Sequence, residues 1–176
     1  MPIVCSDGRT LRIIGSIDRV DRLADGRIAV IDYKSGSASA YQKLSHDDPL
    51  RGGTMLQLPI YAHAARELFP QHGDEPIDAS YWFVLRDPKN PRGYPVDAPV
   101  EAALDHALRV IVDGIDNGVF VPRPRVPAWA MFVECPYCDP DGLGTADLHR
   151  EWTRKQGAAE LADYTELLGL ELESSA

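Results

Sequence analysis

The clearest hydrophobic pattern in the chain is the apolar run 28–31, which ends in Asp32-Tyr33-Lys34. A continuous apolar run of this length, stopped by a Ser-Gly pair, is typical of a buried strand. Because side chains alternate along a strand, Asp32 and Lys34 are expected on the same face. The pattern therefore predicts a carboxylate beside an ammonium at the end of a buried strand, which suits metal-assisted hydrolysis.

The strand predicted before this one carries a second carboxylate, Asp18. The two strands, 18–23 and 27–33, flank an Ala-Asp-Gly hairpin signal. A three-residue loop with Gly26 in the left-handed region would place Asp18 opposite Asp32. A two-residue turn would put the two aspartates on opposite faces. We favour the three-residue loop, although both turns stay open. Facing carboxylates repel unless a cation lies between them, and oxygen ligands suit Mg²⁺ or Mn²⁺.

The remaining pattern alternates strands with helices and predicts an α/β fold. The other expected elements are a hairpin of strands 3–5 and 10–14 whose second strand continues toward residue 23, a mobile loop at 36–53, a helix capped by Thr54 and running to about Phe69, a strand at 79–85, and a helix at 100–117 stopped by Gly118. We expect Pro59 to kink or weaken the first of these helices.

Composition indicates an ordinary globular protein. The 176 residues are 44% hydrophobic and 26% charged, without an apolar run of membrane-spanning length or a signal peptide. Three cysteines do not suggest a disulfide framework, so we expect a cytoplasmic protein with no membrane partner. We read Cys5, on a predicted strand, as a small buried residue.

The net charge of −9 is the wrong sign for a protein that grips phosphates. Screening limits the reach of distant charges to about 10 Å, so the local field matters more than the total. Loop positions with basic side chains could form a track for nucleic acid, or could be solvated surface charges. These positions are Arg86, Lys89, Arg92, Arg123 and Arg125.

Three short motifs follow one another in the first half of the chain. They are Gly15-x-x-Asp18, Asp32-x-Lys34 and Gln57-x-x-x-Tyr61. In this order and spacing they resemble the PD-(D/E)XK nuclease superfamily, and more narrowly the RecB-like and AddB-like nuclease domains at the C-termini of bacterial helicase–nucleases.

The resemblance implies a restriction-endonuclease-like core, in which a three-stranded antiparallel meander is followed by a crossover helix and a further strand. It also implies roles for the residues named above. Asp18, Asp32 and the backbone carbonyl of Tyr33 would be metal ligands. Lys34 would orient or activate the attacking water and balance charge on the phosphate.

The family's Gln-x-x-x-Tyr motif corresponds to Gln57 and Tyr61. These residues lie four apart on one face of the predicted helix, and the resemblance implies that this face lies toward the active site and DNA. The function implied is a Mg²⁺- or Mn²⁺-dependent deoxyribonuclease, expected to be an exonuclease, in DNA end processing and recombinational repair. Its expected partners are DNA and a helicase domain or subunit. The alternative is a non-catalytic member of the fold that binds DNA or docks a helicase.

The chain departs from the family pattern at both ends. The family's opening helix is missing before Gly15, so we expect residues 1–144 to be a nuclease core truncated at its N-terminus, within a C-terminal fragment of a longer protein. AddB-like relatives hold an iron–sulfur cluster on four cysteines, of which only Cys135 and Cys138 have counterparts, so we expect no cluster here. We favour these two as an anchoring turn over a zinc site completed by His149.

After this core we expect a separate helical tail, residues 145–176. Apolar side chains recur there at roughly helical spacing, namely Trp152, Leu161, Tyr164, Leu167 and Leu168. An exposed apolar stripe on this tail would indicate a partner surface, and a buried one a core.

Overall fold

The structure is a computed structural model. It describes residues 1–85, 87–121, 123 and 145–170, with the side chains of all of these except 87–89 and 145–148. The chain forms two compact units that meet in sequence between Arg109 and Val110. Each unit is described by itself below.

The first unit is built on a four-stranded sheet in the order β3-β4-β5-β6. Its elements are β1 (Pro2–Val4), β2 (Thr10–Arg12), β3 (Arg19–Arg22), β4 (Ile28–Lys34), a 3₁₀ turn (Ala38–Tyr41), α1 (Gln57–Leu68), a second 3₁₀ turn (Pro70–His72), β5 (Ile77–Phe83), β6 (Asp87–Val96) and most of α2 (Ala98–Asp116). This mixed α/β architecture confirms the predicted fold class.

The hairpin of β3 and β4 has the three-residue loop that we favoured. Leu23 N donates to Arg27 O at 2.8 Å, and Gly26 has φ of 91°. The ladder runs outward in this register to the pair Arg19↔Ile31. One further step in this register would bring position 18 opposite Asp32, but Asp18 lies just before β3, outside the paired residues.

Helix α1 connects β4 to β5, which run parallel as neighbours. The helix begins at Gln57, which corrects the prediction of a helix capped by Thr54. Thr54 cannot serve as that cap because its Oγ1 donates to Arg51 O within a turn that precedes the helix. The kink expected from Pro59 was also wrong. Pro59 is the third helical residue, where a backbone N–H has no intrahelical partner to lose.

Strand β6 was missed because it contains Pro88, Pro91 and Pro95, which argue against a central strand. It lies at the edge of the sheet, where proline is tolerated, and pairs antiparallel with β5. Consequently Arg92 and Lys89 lie on a strand, not in the loop that we predicted.

The N-terminal hairpin of β1 and β2 forms its own two-stranded sheet. The predicted meander, in which the second strand continues toward residue 23, is therefore corrected, since residues 13–17 interrupt it before β3. The hairpin packs on α2 instead, where Ile3 and the buried Cys5 contact Leu104 and Leu108. The prediction of a buried Cys5 is thus confirmed.

One hydrophobic core fills the space between the sheet and α1. The loop 36–53 contributes to it, since Ala38 and Leu44 are buried in this core and Tyr41 packs on Tyr81 and Phe83. That loop was expected to be a mobile connector, and its packed side chains are a feature that the pattern did not reveal. The core residues are Ile28, Val30, Ala38, Leu44, Leu58, Ala62, Ala65, Ile77, Ala79, Tyr81, Phe83, Tyr94, Val96 and Val100.

The regular elements described in the second unit are helices and a short 3₁₀ turn. Following the end of α2 it contains α3 (Thr145–Lys155), a 3₁₀ turn (Ala159–Leu161) and α4 (Ala162–Leu167). Leu161 is buried, and the Trp152 and Tyr164 rings meet edge to face at 6.3 Å. The domain boundary predicted at residue 144 stays a prediction. Within the described part of the chain, no helix combines the length and apolar character needed to cross a membrane.

We expect Gly93→Ala to lower the free energy of unfolding by about 2 kcal/mol or more. A β-carbon at Gly93 would overlap the Ala79 carbonyl oxygen and lie 2.6 Å from Ser80 Cα, so β5 and β6 would have to separate. Urea denaturation provides the measurement. The matched control is Gly36→Ala, whose β-carbon meets no atom within 4 Å, and an equal loss in both variants would contradict the explanation.

We expect the N-terminal hairpin to be attached to α2 in a pH-dependent way, through the carboxylate of Asp105. It accepts from Ser6 N and Ser6 Oγ at 2.7 Å each and from Arg109 Nε at 3.0 Å. Burial opposes ionisation, but the donors from Ser6 and Arg109 outweigh it and lower the Asp105 pKa. This stabilisation is present above the ordinary aspartate pKa of about 4 and is lost as pH falls through the lower folded value.

Asp105→Asn is therefore expected to cost about 1 kcal/mol at pH 7 and much less near pH 3. Urea unfolding at the two pH values measures the difference. A cost that is the same at both values would show that the carboxylate charge does not hold the hairpin.

Candidate active site

Lys34 is the centre of a connected polar cluster on the core face of β4. Its Nζ lies 2.6 Å from Asp32 Oδ2 and donates to Gln57 Oε1 at 2.9 Å. Gln57 Nε2 in turn donates to the Tyr61 hydroxyl at 2.9 Å. Because Gln57 begins α1 and Tyr61 is one turn later, the helix start delivers both to the end of the strand. The structure thus joins four of the predicted site residues in one chain of contacts.

Asp32 is a nearly buried carboxylate, 4% exposed, at the end of a core strand. Its Oδ2 is close to Lys34 Nζ, but the angle is not that of a hydrogen bond, so Oδ2 has a neighbouring charge and no aligned donor. A buried carboxylate oxygen in that state is costly unless another positive group or donor reaches it. The arrangement fits a site that accepts a further cation.

Asp18 lies at the open edge of β4 beyond the last pair of the ladder with β3. Its Oδ2 accepts from Tyr33 N at 2.9 Å. In a strand, the N–H and C=O of one residue point toward the same neighbour. The Tyr33 carbonyl therefore points toward the edge that the Asp18 carboxylate occupies, and the assignment of Asp18, Asp32 and this carbonyl as one ligand set stays a prediction.

The residues fit a divalent cation through their chemistry. They offer two carboxylates and one main-chain carbonyl, from Asp18, Asp32 and Tyr33. Across the described residues there is no group of three His, Cys, Asp or Glu side chains that could hold a metal. A magnesium-type ion nevertheless needs only one or two protein carboxylates, because it keeps waters and binds substrate phosphates. The donor set is thus suited to an ion shared with a substrate.

Tyr81 is a site residue that sequence reasoning missed. It pairs with Asp32 across β4 and β5, and its ring lies 4.9 Å beneath Lys34 Nζ. The Tyr81 hydroxyl pKa is raised, chiefly because the residue is buried and also by Tyr41, so the ring stays neutral. A neutral aromatic face attracts an ammonium. The signal was its position in the apolar strand 79–85, which sequence alone could only interpret as core.

The predicted cysteine and basic positions fall partly inside and partly outside the described residues. Arg92 Nη1 contacts the carbonyls of Asn90 and Pro91 on its own strand, both at 3.4 Å. Cys135, Cys138, Arg86 and Arg125 lie outside the described residues. Arg123 is exposed, and His149 lies on α3 of the second unit, so the zinc alternative and the basic track stay predictions.

The chain is similar to one family profile and to two named bacterial proteins. The family profile described as PD-(D/E)XK nuclease superfamily matches residues 2–141. Two relatives from Streptococcus pyogenes, of serotypes M6 and M18, are each named as a subunit of an ATP-dependent helicase/deoxyribonuclease. Each is 34% identical over 82 residues, which is 47% of this chain. The match spans 7% of the length of these relatives. No solved structure matches the chain.

We expect Mn²⁺ to raise the melting temperature of the wild-type protein through the Asp18 and Asp32 carboxylates. At a concentration 100 times the Kd, binding would add about 2.7 kcal/mol, or about 5 °C or more for a chain of this size. The rise should disappear in Asp32→Asn, which preserves shape but removes charge. The control is Asp25→Asn, an exposed carboxylate in the β3–β4 turn. A rise of the same size in all three proteins would refute the site.

Proposed function

The chain belongs to the PD-(D/E)XK nuclease superfamily, and we propose that it is a divalent-metal-dependent deoxyribonuclease domain that hydrolyses phosphodiester bonds. The observation that carries the proposal is the cluster of Asp32, Lys34 and Gln57 with Asp18 at the adjacent strand edge. A protein that used the fold only as a scaffold would have no physical need for a buried carboxylate paired with a partly exposed ammonium and a second carboxylate at the adjacent strand edge.

Asp18, Asp32 and the Tyr33 carbonyl would hold the cation, with Mg²⁺ or Mn²⁺ as the expected ion. The chemistry that such an ion supplies when bound is polarisation of the phosphate and a lowered pKa for the attacking water. The protein's part is to fix these ligands on a rigid strand. Their positions follow from the β3–β4 register and from the contact between Asp18 and Tyr33 N.

Lys34 is placed to stabilise the charge that builds on the phosphate. An ammonium has three donor hydrogens. One is directed to Gln57, and Asp32 lies close on a second side, which leaves donor capacity for a water or a phosphate oxygen. Since the Tyr81 ring lies beneath Nζ, the ammonium is held in position before substrate arrives.

Gln57 is a positioning residue in this proposal. Its amide oxygen accepts from Lys34 while its amide nitrogen donates to Tyr61, so the side chain cannot rotate without losing a contact. Tyr61 thereby fixes the orientation of the amide, and both residues are expected to face DNA from the start of α1.

The similarity to proteins named as helicase/deoxyribonuclease subunits supports a deoxyribonuclease that works beside a helicase. Its proposed place is DNA end processing and recombinational repair in the cytoplasm. Exonuclease action is the form that we propose. The second candidate is a non-catalytic module that binds DNA or docks a helicase. The net charge of −9 is the observation that favours it, since an acidic chain offers little attraction for the phosphates that a nuclease must grip.

The test is cleavage of end-labelled single- and double-stranded DNA in Mn²⁺ or Mg²⁺. We expect wild-type cleavage, and a loss of at least about 100-fold in Asp32→Asn and in Lys34→Gln, because each removes a charge at the reacting phosphate. Asp25→Asn is the control for a surface carboxylate. A product ladder that shortens from one end indicates an exonuclease, and internal products indicate an endonuclease.

Cleavage that survives unchanged in Asp32→Asn would contradict the assignment of that residue. A wild-type protein that binds DNA with either ion but leaves it intact would favour the non-catalytic candidate.

A further inference from the structure

Two aromatic rings lie together on the sheet face opposite to Asp32 and Lys34. Tyr33 of β4 and Trp82 of β5 are direct partners in the parallel register, and each is 38% exposed. We propose that these rings form a stacking subsite for an unpaired base of the nucleic-acid strand that enters the active site. This inference rests on the proposed nuclease function and adds a binding site to it.

The ring pair is held rigidly by its own polar atoms. The Tyr33 hydroxyl accepts from Arg19 Nη1 at 3.1 Å, and Trp82 Nε1 donates to Ser80 Oγ at 3.1 Å. The ring centroids are 6.3 Å apart with planes at 74°. Since these polar groups are already satisfied, each ring presents an apolar face, and the two faces are steeply inclined to each other. Such a surface is ordered before binding, so a stacked base would cost little side-chain entropy.

The platform and the active site share the end of β4. Tyr33 lies between Asp32 and Lys34 in the strand, so its ring and their side chains leave the same short segment on opposite faces. The ladder to β3 ends at Arg19↔Ile31. Beyond that pair, in the part of the chain that the structure describes, the contact made at the β4 edge is that of the Asp18 carboxylate with Tyr33 N.

Among the described residues, the segment that precedes Asp18 has its contacts on the α1 side of the sheet, opposite the rings. Ile17 packs against the hydrophobic core on the α1 face, and Gly15 lies near the Tyr61 ring. A single strand whose phosphate is held beside Lys34 can therefore pass around the edge and lay a base on Tyr33. A paired base inside a duplex presents its edge and not its face, so the platform would select unpaired nucleotides.

The surroundings of the rings suit bases better than phosphates. Val84 and Leu85 follow Trp82 beyond the strand end and are exposed, Leu85 by 75%, and Val84 N donates to Lys34 O at 3.1 Å. Arg19, the cation next to the platform, is paired with Asp21 at 2.7 Å. With a chain charge of −9 and no cation bound, attraction of phosphates adds little affinity, and base stacking supplies an uncharged alternative.

The experiment measures binding without cleavage. Fluorescence anisotropy in EDTA would compare a labelled twelve-nucleotide oligothymidine, an abasic oligomer with the same number of phosphates, and the same oligothymidine paired in a duplex. The proteins are the wild-type chain, Trp82→Ala, Tyr33→Ala and the ring-preserving Trp82→Phe and Tyr33→Phe. Leu68→Ala is the matched control, an exposed apolar residue elsewhere in the first unit.

We expect each alanine variant to weaken oligothymidine binding by at least about 5-fold, the lower limit for loss of one base–aromatic stack. Each phenylalanine variant and Leu68→Ala should stay within about 2-fold of the wild type, and the abasic oligomer should bind all of the proteins equally weakly.

Three results would overturn the subsite. They are an oligothymidine affinity unchanged in both alanine variants, an equal loss for the oligothymidine and the abasic oligomer, and a wild-type protein that does not prefer the oligothymidine. Cleavage of the same oligothymidine in Mn²⁺ by wild-type protein is scored separately. If the binding results support stacking but the wild-type protein does not cleave, that outcome would count against the nuclease proposal alone.

Discussion

The contact on which the rest of the structure depends is the ion pair of Asp32 and Lys34 at the end of β4. A carboxylate that is nearly buried has lost most of its hydration, and it is tolerated only where a positive charge compensates. The ammonium is in turn restrained by Gln57 and by the Tyr81 ring. The strand end can therefore carry two opposite charges into the edge of a hydrophobic core without exposing that core to water.

This pair also explains the arrangement of the elements around it. Helix α1 must begin where Gln57 can meet Lys34, and β5 must lie beside β4 in a register that puts Tyr81 opposite Asp32. The parallel pairing of β4 and β5 requires a crossover connection, and α1 provides it while covering the core face. The crossover that buries the apolar strand therefore also positions the polar groups at its end.

The sequence predicted those parts of the fold that are determined locally. The Ala-Asp-Gly turn determined the β3–β4 register, because one glycine in the left-handed region selects a loop length. Features that depend on distant partners could not be predicted in this way. Strand β6 is stable because it pairs with β5 at an edge, although its prolines argue against a strand.

The same distinction holds for the site: features set by local sequence could be predicted, and contacts with distant residues could not. The alternation of β4 placed Asp32 and Lys34 together, but nothing local indicated that Asp18 would accept from Tyr33 N. The role of the Tyr81 ring was equally hidden, since a buried tyrosine in an apolar strand has the same pattern whether it packs on a side chain or supports an ammonium.

The charge of the site resolves the conflict between an acidic chain and an anionic substrate. Counted formally, Asp18, Asp32 and Lys34 together carry one negative charge, which repels a phosphate. A bound divalent cation would reverse that sign to one positive charge at the same place. Since remote charges are screened within about 10 Å, this local reversal outweighs the total of −9. Cation and phosphate should therefore bind cooperatively, each raising the affinity for the other, because each lowers the electrostatic cost that the other meets.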